Sequence, residues 1–583
     1  MKFEPCLLAL VASAVVLAQD DSVHDIDVVT SDESECLDDA YDDYTRSIPS
    51  KGGWFPCPLM TNMSNPLQQG PTPGGLNVQC NVFTVPLCYK TFPGYPDDDV
   101  CDSNQTIDVF VKRIQANTTT TSQRKPQAFW ISEGGPGYAM QGVEELMRRS
   151  FIALNGTWSV YSMDHRGTGR SHRLTCNDTR TDLLVGANAT QLFADCIGRY
   201  QKTYGQENAA GFGVTSAAMD LSTLSRHVEP DADWFMYGLS YATLLVERVM
   251  HMRPPHVKGY VVDAVVPETM VLPNGDAEYG KVANRILHEC DKWPACASKF
   301  QNVSLATAVR QFYKDVETLP RLQYCREWLK SVALRPYEPA SWAAKKLFAS
   351  MIGYNTLPQL MPVLLYRLNR CEPKDYPALV AAAKYIQDQQ MGDPNSLSTF
   401  DSLVLYQIVL ASERALWHSP PPPLTSMMGF FAREVVTEGT YRDFQSYCLL
   451  TGSGTEVCQK YPATGDGFYY GPDSFTDTVA RIPQSASLLV MNGDLDPVTP
   501  EPQAKHQFDQ YKGRGTKLYV NVPQSAHPTT ETPCGFAILV SYLANAGRVA
   551  KVDTSCIKLI PNRFSVDVKE IALAFFNSTD ELI

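Results

Sequence analysis

The residue types needed for nucleophilic acyl transfer recur in this chain at spacings that could bring them together. Ser240 occupies the centre of Gly238-Leu239-Ser240-Tyr241-Ala242, with the aromatic, apolar run DWFMY before it and the helically spaced TLLVERVMHM after it. Small residues two before and two after a serine let the backbone turn sharply. The hydroxyl then projects, and a helix N-terminus faces developing negative charge. Serine is a weak nucleophile at its own pKa, so Ser240 needs a histidine to take its proton and a carboxylate to orient that histidine. His527, in VPQSAHPTT, directly follows the strand-like KLYVNV, and Asp496, in MNGDLDPVTP, directly follows SLLVMNG. In a doubly wound sheet both fall in loops at the carboxyl ends of strands, in the order serine, aspartate, histidine. Asp494 competes for the acid role, but the DPVTP loop gives Asp496 room to turn toward the histidine. His506 lies in a helical pattern and reads as a surface residue.

Such chemistry also needs two backbone N–H groups aimed at the oxygen of the tetrahedral intermediate. One is expected from Tyr241, the residue after the nucleophile. The other is expected from the loop EGGPG, where Gly134 and Gly135 let main chain approach a ligand closely; Gly135 is the candidate donor. GGPG is also an ordinary turn signal. DHRGTGRS, Asp164 to Ser171, follows the next strand-like run, and Arg166 is expected to brace the site rather than to react.

The elements that would hold these residues alternate. AFWIS (128–132), SVYSMD (159–164), DWFMY (233–237) and GYVVDAVV (259–266) are short apolar runs bounded by turns, with helical patterns at 143–154, 215–228 and 241–252 between them. Two earlier runs, 82–88 and 107–114, read as antiparallel opening strands. Alternation of this kind implies a parallel sheet covered on both faces. It stops after Val266 and resumes at SLLVMNG (487–493), followed by a helix over 501–511, the strand KLYVNV and the helix CGFAILVSYLANAG. The intervening stretch is rich in helical patterns such as SWAAKKLFASMIGY, is broken by Pro420 to Pro423, and reads as an inserted helical cap.

The set EGGPG, DHRGTGRS, GLSYA, NGDLDPVTP and SAH, in that order, resembles the serine exopeptidase family of prolyl iminopeptidases and tripeptidyl aminopeptidases. The tail from Ser487 to Cys556 and the opening WFPC, VQC and TVPL are similar to its secreted tripeptidyl-aminopeptidase branch, so the resemblance spans roughly Trp54 to Ile560. Two departures stand out: Ala242 occupies a position usually held by glycine, and Glu133 one often held by histidine or glutamine. The resemblance implies an α/β-hydrolase fold, a mostly parallel eight-stranded sheet with an inserted helical cap. It also implies exopeptidase action on peptides, without cofactor or metal.

Composition narrows the setting. With 44% hydrophobic and 19% charged residues the chain is that of a globular protein, and disorder as its general state is excluded. Lys2, an apolar run from Leu7 to Leu17 and the small residue Ala18 read as a secretory signal; the run is short for a retained membrane anchor. Residues 1–45 hold twelve acids against Lys2, so they carry −11 of the net −13 and leave −2 for the rest. That stretch reads as a solvated leader or propeptide, and no basic patch argues for nucleic acid. Sequons at Asn62, Asn104, Asn117, Asn155, Asn177, Asn188, Asn302 and Asn577 fit a glycosylating route. Of sixteen cysteines, Cys6 lies in the signal, and none of the others has zinc spacing. Local spacing suggests disulfides 57–80, 88–101, 176–196, 290–296, 448–458 and 534–556. Cys325 and Cys371 would then pair within the cap and Cys36 would be left over, although spacing alone does not fix connectivity.

The expected organisation is a signal peptide over 1–18, an acidic leader over 19–50, a first part of the core over 51–270, the cap over 271–480 and the rest of the core over 481–583. The expected function is a secreted serine hydrolase releasing short N-terminal units from peptides, outside the cell or in a vacuolar or lysosomal compartment. The expected chain has no nucleic-acid partner and no membrane association after signal removal. An esterase or lipase on the same scaffold and a non-catalytic binding protein are the alternatives, since fold does not decide substrate.

Overall fold

The computed structural model describes residues 48–61, 75–89, 101–117, 125–176, 189–268, 275–301, 303–333, 337–388, 400–413, 422–452, 456–459, 461 and 467–582. The signal segment, the leader up to residue 47 with Cys36, the sequons at Asn62, Asn177, Asn188 and Asn302, and Pro420 and Pro421 lie outside the described residues.

The sheet strands are β1 (Phe55–Pro56), β2 (Val78–Pro86), β3 (Thr106–Ile114), β4 (Gln127–Ser132), β5 (Ser159–Asp164), β6 (Asp233–Leu239), β7 (Val257–Asp263), β8 (Ser487–Gly493) and β9 (Thr516–Val522). Their spatial order is β1-β2-β3-β5-β4-β6-β7-β8-β9. The opening strands pair antiparallel, and everything from β5 through β9 is parallel. This is the α/β-hydrolase fold. The sheet has nine strands rather than the expected eight because Phe55 and Pro56 add a two-residue edge strand to β2, beside the Cys57–Cys80 disulfide.

The alternation of side chains explains the layers. Ala128, Trp130, Trp234, Met236, Tyr260, Val262, Leu488 and Val490 point into one cluster, filled from α2 (Val214–Val228) and α3 (Ala242–Met252). Phe129, Ile131, Phe235, Tyr237, Val261, Leu489 and Met491 point into the other, filled from α1 (Glu144–Ala153) and a late helix over Pro533–Ala544. Strands buried on both faces read as continuous apolar runs, which is why they were legible.

β7 ends at Asp263, earlier than the apolar run to Val266 suggests. Ala264 takes a left-handed φ of 59°, its N–H bonds the Met491 carbonyl, and the Val265 N–H bonds the Asn492 side chain, so the backbone leaves the ladder.

Between β7 and β8 lies the helical insertion, including α4 (Gly275–Lys292), α5 (Leu305–Thr318), α6 (Gln323–Val332), α7 (Ala340–Ile352), α8 (Leu360–Arg370) and α9 (Tyr376–Asp388), which share a core of their own. Packing does not divide at the expected boundaries. α10 (Leu403–Glu413), within the expected cap, is apolar on nearly all sides, and its Val404, Leu405, Ile408 and Val409 join the sheet's core. In the tail expected to belong to the core, α11 (Glu501–Gln510) and α12 (Pro533–Ala544) cover the sheet. α13 (Lys569–Phe576) instead sends Ala572, Phe575 and Phe576, an i, i+3, i+4 stripe, into the helical insertion. Disulfides join the six pairs that local spacing suggested and also Cys325 with Cys371, the pair left within the cap. Cys325–Cys371 ties α6 to the end of α8.

Candidate active site

Parallel register puts the carboxyl ends of the strands in one line: Ser132 pairs with Gly238, Leu239 with Asp263, Asp263 with Met491, and Gly493 with Val522. The loops bearing Glu133 to Gly135, Ser240, Asp496 and His527 therefore emerge at one edge of the sheet.

Ser240 is held in the left-handed region at φ 55°, where a non-glycine residue persists only when its surroundings over-determine it. Three contacts do so. Its N–H bonds the Asp263 carbonyl at 2.9 Å, and its carbonyl accepts both the N–H of Thr243, at 2.9 Å, and the Thr243 hydroxyl, at 2.6 Å. The turn is tight enough that a Cβ on Gly238 would clash with the Ala242 carbonyl. Ala242 itself is fully buried and fits the elbow despite the glycine usual there. Gly134 lies against the serine, since a Cβ on it would come 2.9 Å from the Ser240 Cβ.

Asp496 and His527 are joined. His527 Nδ1 lies 2.9 Å from Asp496 Oδ2, with the aspartate fully buried and the histidine 5% exposed. The other carboxylate oxygen, Oδ1, accepts the N–H groups of Val498 and Thr499, both at 2.9 Å, and the Thr499 hydroxyl donates to Oδ2 at 2.7 Å. Burial pulls the His527 pKa down, but the adjoining Asp496 carboxylate, with Asp263 and Glu531, more than offsets this and leaves it above the ordinary imidazole value. Asp494 faces away: it accepts the Gln524 N–H at 2.7 Å and pairs with Arg285 at 3.6 Å. His506 is exposed on α11.

Ser240, Tyr241, Gly135 and Thr499 line one cavity, and Thr499 also reaches His527, its hydroxyl 3.3 Å from Nδ1. The cavity is walled by apolar groups, among them Leu244, Val266, Val409 and Leu410. Among the described residues the N–H groups of Tyr241 and Gly135 bond no protein acceptor, which leaves both free for an oxygen in the cavity. Glu133 sits behind this loop with its Oε1 accepting the Gly134 N–H at 2.8 Å; burial raises its pKa to about 7. Arg166 lies away from the cavity, fully buried on Asp220 and on carbonyls of Pro86, Leu87 and Gly211.

Several residues in this arrangement had no counterpart in the sequence reading. Asp263 receives four donors on its carboxylate: the Tyr237 hydroxyl, the Thr529 N–H and hydroxyl, and the Thr530 N–H. One residue thus ties the Ser240 turn to the segment just after His527. An acid inside the run VVDAVV was the available signal. Glu438, from the helical insertion, lines the same cavity as Ser240 and carries no hydrogen bond or ion pair among the described residues. Burial raises its pKa, Arg442 opposes this, and it lies close enough to His527 to interact electrostatically. Nothing in VVTEGTY marked it.

Neither a protein-family model nor a curated protein matches the sequence. Among solved structures the chain is similar to a proline iminopeptidase from Mycobacterium smegmatis, at 12% identity over 76% of this chain and 97% of that one, with a TM-score of 0.25. It is likewise similar to a monoglyceride lipase from Saccharomyces cerevisiae, at 12% identity over 80% and 100% and a TM-score of 0.30. A carboxyl esterase from Bacillus coagulans is similar at 11% identity over 79% and 97%, again with a TM-score of 0.30. The fold assignment rests on strand order and layers, and no activity is carried over from these proteins.

Proposed function

We propose that the chain is a secreted serine hydrolase of exopeptidase type, releasing short N-terminal units from peptides. In this reading the Ser240 hydroxyl gives its proton to His527 Nε2 and its oxygen adds to the scissile carbonyl carbon. The oxyanion is held by the N–H groups of Tyr241 and Gly135. The His527 proton then passes to the departing amine as the C–N bond breaks, and water, deprotonated by the same histidine, hydrolyses the acyl-serine. Asp496 keeps the imidazole proton on Nδ1 throughout, and no metal or organic cofactor takes part.

The observation that carries the peptide reading is Glu438. A carboxylate without a protein partner, facing the nucleophile's cavity from the insertion, suits the ammonium of a peptide N-terminus. The seven disulfides suit an oxidising compartment, and no helix among the described residues is long and apolar enough to cross a membrane. The apolar walls would also accept an acyl ester, so the test compares substrates. A free-amine peptide should be cleaved in preference to its N-acetylated form, and Glu438→Gln should lower kcat/KM for the free amine by roughly 10 to 100-fold, the worth of one charge-assisted bond. Equal cleavage of both forms, with faster turnover of acyl esters, would replace the exopeptidase by an esterase.

A further inference from the structure

His527 uses Nδ1 on Asp496, so Nε2 is the nitrogen left to protonate the departing group, and the departing half of a substrate must lie beside that edge of the ring. What the protein places against the ring is Tyr354, from the segment after α7. The two rings stand edge to face, with centroids 5.8 Å apart and planes at 78°, and Tyr354 is 42% exposed. Its backbone is pinned to the histidine loop. Tyr354 and His527 form a β-bridge, the His527 N–H bonds the Gly353 carbonyl at 3.2 Å, the Ala526 N–H bonds Asn355 Oδ1 at 2.8 Å, and the Asn355 amide donates to the Pro528 carbonyl at 2.7 Å.

A second half-exposed ring stands within electrostatic reach of the Tyr354 phenol: Tyr138, 37% exposed, on the loop that carries Gly135. Its backbone is pinned too, because the Gly137 carbonyl accepts the Ser402 N–H at 2.7 Å and the Ala139 N–H bonds Asp401 at 3.0 Å. Neither phenol bonds a protein group among the described residues. Single exposed aromatics are common on protein surfaces. Here one tethered ring stands on His527 and the other lies against Gly135, where a Cβ would come 3.3 Å from the Tyr138 Cγ, so each offers a rigid, amphipathic surface at little entropic cost beside one side of the site.

We propose that Tyr354 and Tyr138 form the subsite for the first residue of the departing peptide, and that they favour an aromatic or large aliphatic side chain there. This rests on the acyl-transfer reading of Ser240 and His527. Glu531, within electrostatic reach of both Tyr354 and His527, makes an acidic side chain the least favoured occupant.

The test uses the full-length protein and peptides identical up to the cleaved bond, with phenylalanine, leucine, glycine or glutamate after it, read as kcat/KM. The wild type should prefer phenylalanine over glycine by about tenfold or more, the usual scale for filling an apolar pocket. Tyr354→Ala should bring that ratio to within about twofold, and Tyr354→Phe, which keeps the ring, should restore it. A ratio near one in the wild type overturns the proposal. So does a Tyr354→Ala variant that slows both peptides equally, because the residue then only supports His527. If no peptide is cleaved, the same ratio is read on esters with benzyl and methyl alcohol as leaving groups. A benzyl preference lost in Tyr354→Ala keeps the subsite and sinks the peptidase reading alone, whereas equal rates sink the subsite.

Discussion

Asparagine at position 496 should nearly abolish turnover while leaving the fold in place, and the hydrogen bonds around the residue say why. The two backbone N–H groups of Val498 and Thr499 both point at Oδ1, so this position must remain an oxygen in the variant. The amide nitrogen is then forced into the place of Oδ2, facing His527 Nδ1. There it donates, Nδ1 becomes the acceptor, and the imidazole proton moves to Nε2, where it faces the serine instead of receiving from it. A triad locked in the wrong tautomer loses ~10⁴ in kcat, about 5 kcal/mol of transition-state stabilisation. KM should change little, since Asp496 is fully buried and does not line the cavity beside Ser240. The assay is kcat on an aminoacyl amide, with circular dichroism and a thermal melt to establish that the variant is folded. A folded Asp496→Asn enzyme within about tenfold of wild type would refute this reasoning, most plainly if Asp494→Asn were the inactive variant.

The raised pKa of His527 gives a signed pH dependence: the general base must be neutral, so kcat should fall with acid through a midpoint above the ordinary imidazole value near 6.5. The same shift contributes stability that is complete below that ordinary value and is lost as pH rises through the folded one. Glu133 and Asp401, raised by burial to about 7 and about 6, act in the same direction, while His165, His251 and His256, held by burial at about 4, about 4 and about 3, act oppositely below the ordinary imidazole value; Glu133→Gln, which cannot ionise, should therefore gain in melting temperature relative to wild type as pH rises toward 7. Gly238→Ala should destabilise by ~1–3 kcal/mol, read by denaturant unfolding, because its Cβ meets backbone that cannot swing aside. A serine-centred acyl transfer needs no metal, so dialysis against a chelator should leave kcat unchanged; activity lost and then restored by a divalent cation would contradict the mechanism.

The sheet was legible because each buried strand is a short apolar run closed by turn residues, and the loops after β4, β6, β8 and β9 then followed from topology. The histidine and serine were legible for the same reason, as polar residues directly after strands. Asp263 was hidden because an acid at a strand's carboxyl end, inside a longer apolar run, looks like a defect in the strand until the left-handed turn at Ala264 is seen. Glu438, Tyr354 and Asn355 could not be read at all. They come from the insertion, whose helices announce themselves by periodicity, while the connections between them, which reach the site, carry no pattern. Where the C-terminal helix packs could not be read for a related reason: its stripe of Ala572, Phe575 and Phe576 says that one face is buried, but not against which layer.

The claim on which the rest depends is that Ser240 is an activated nucleophile, and an active-site-directed fluorophosphonate tests it directly. Incubation of the intact protein with the probe, followed by peptide mapping, should find one adduct, on the peptide containing Ser240. Labelling should be lost in Ser240→Ala and strongly slowed in His527→Ala. An unlabelled wild-type protein, or an adduct on a different serine that persists in Ser240→Ala, would contradict the account.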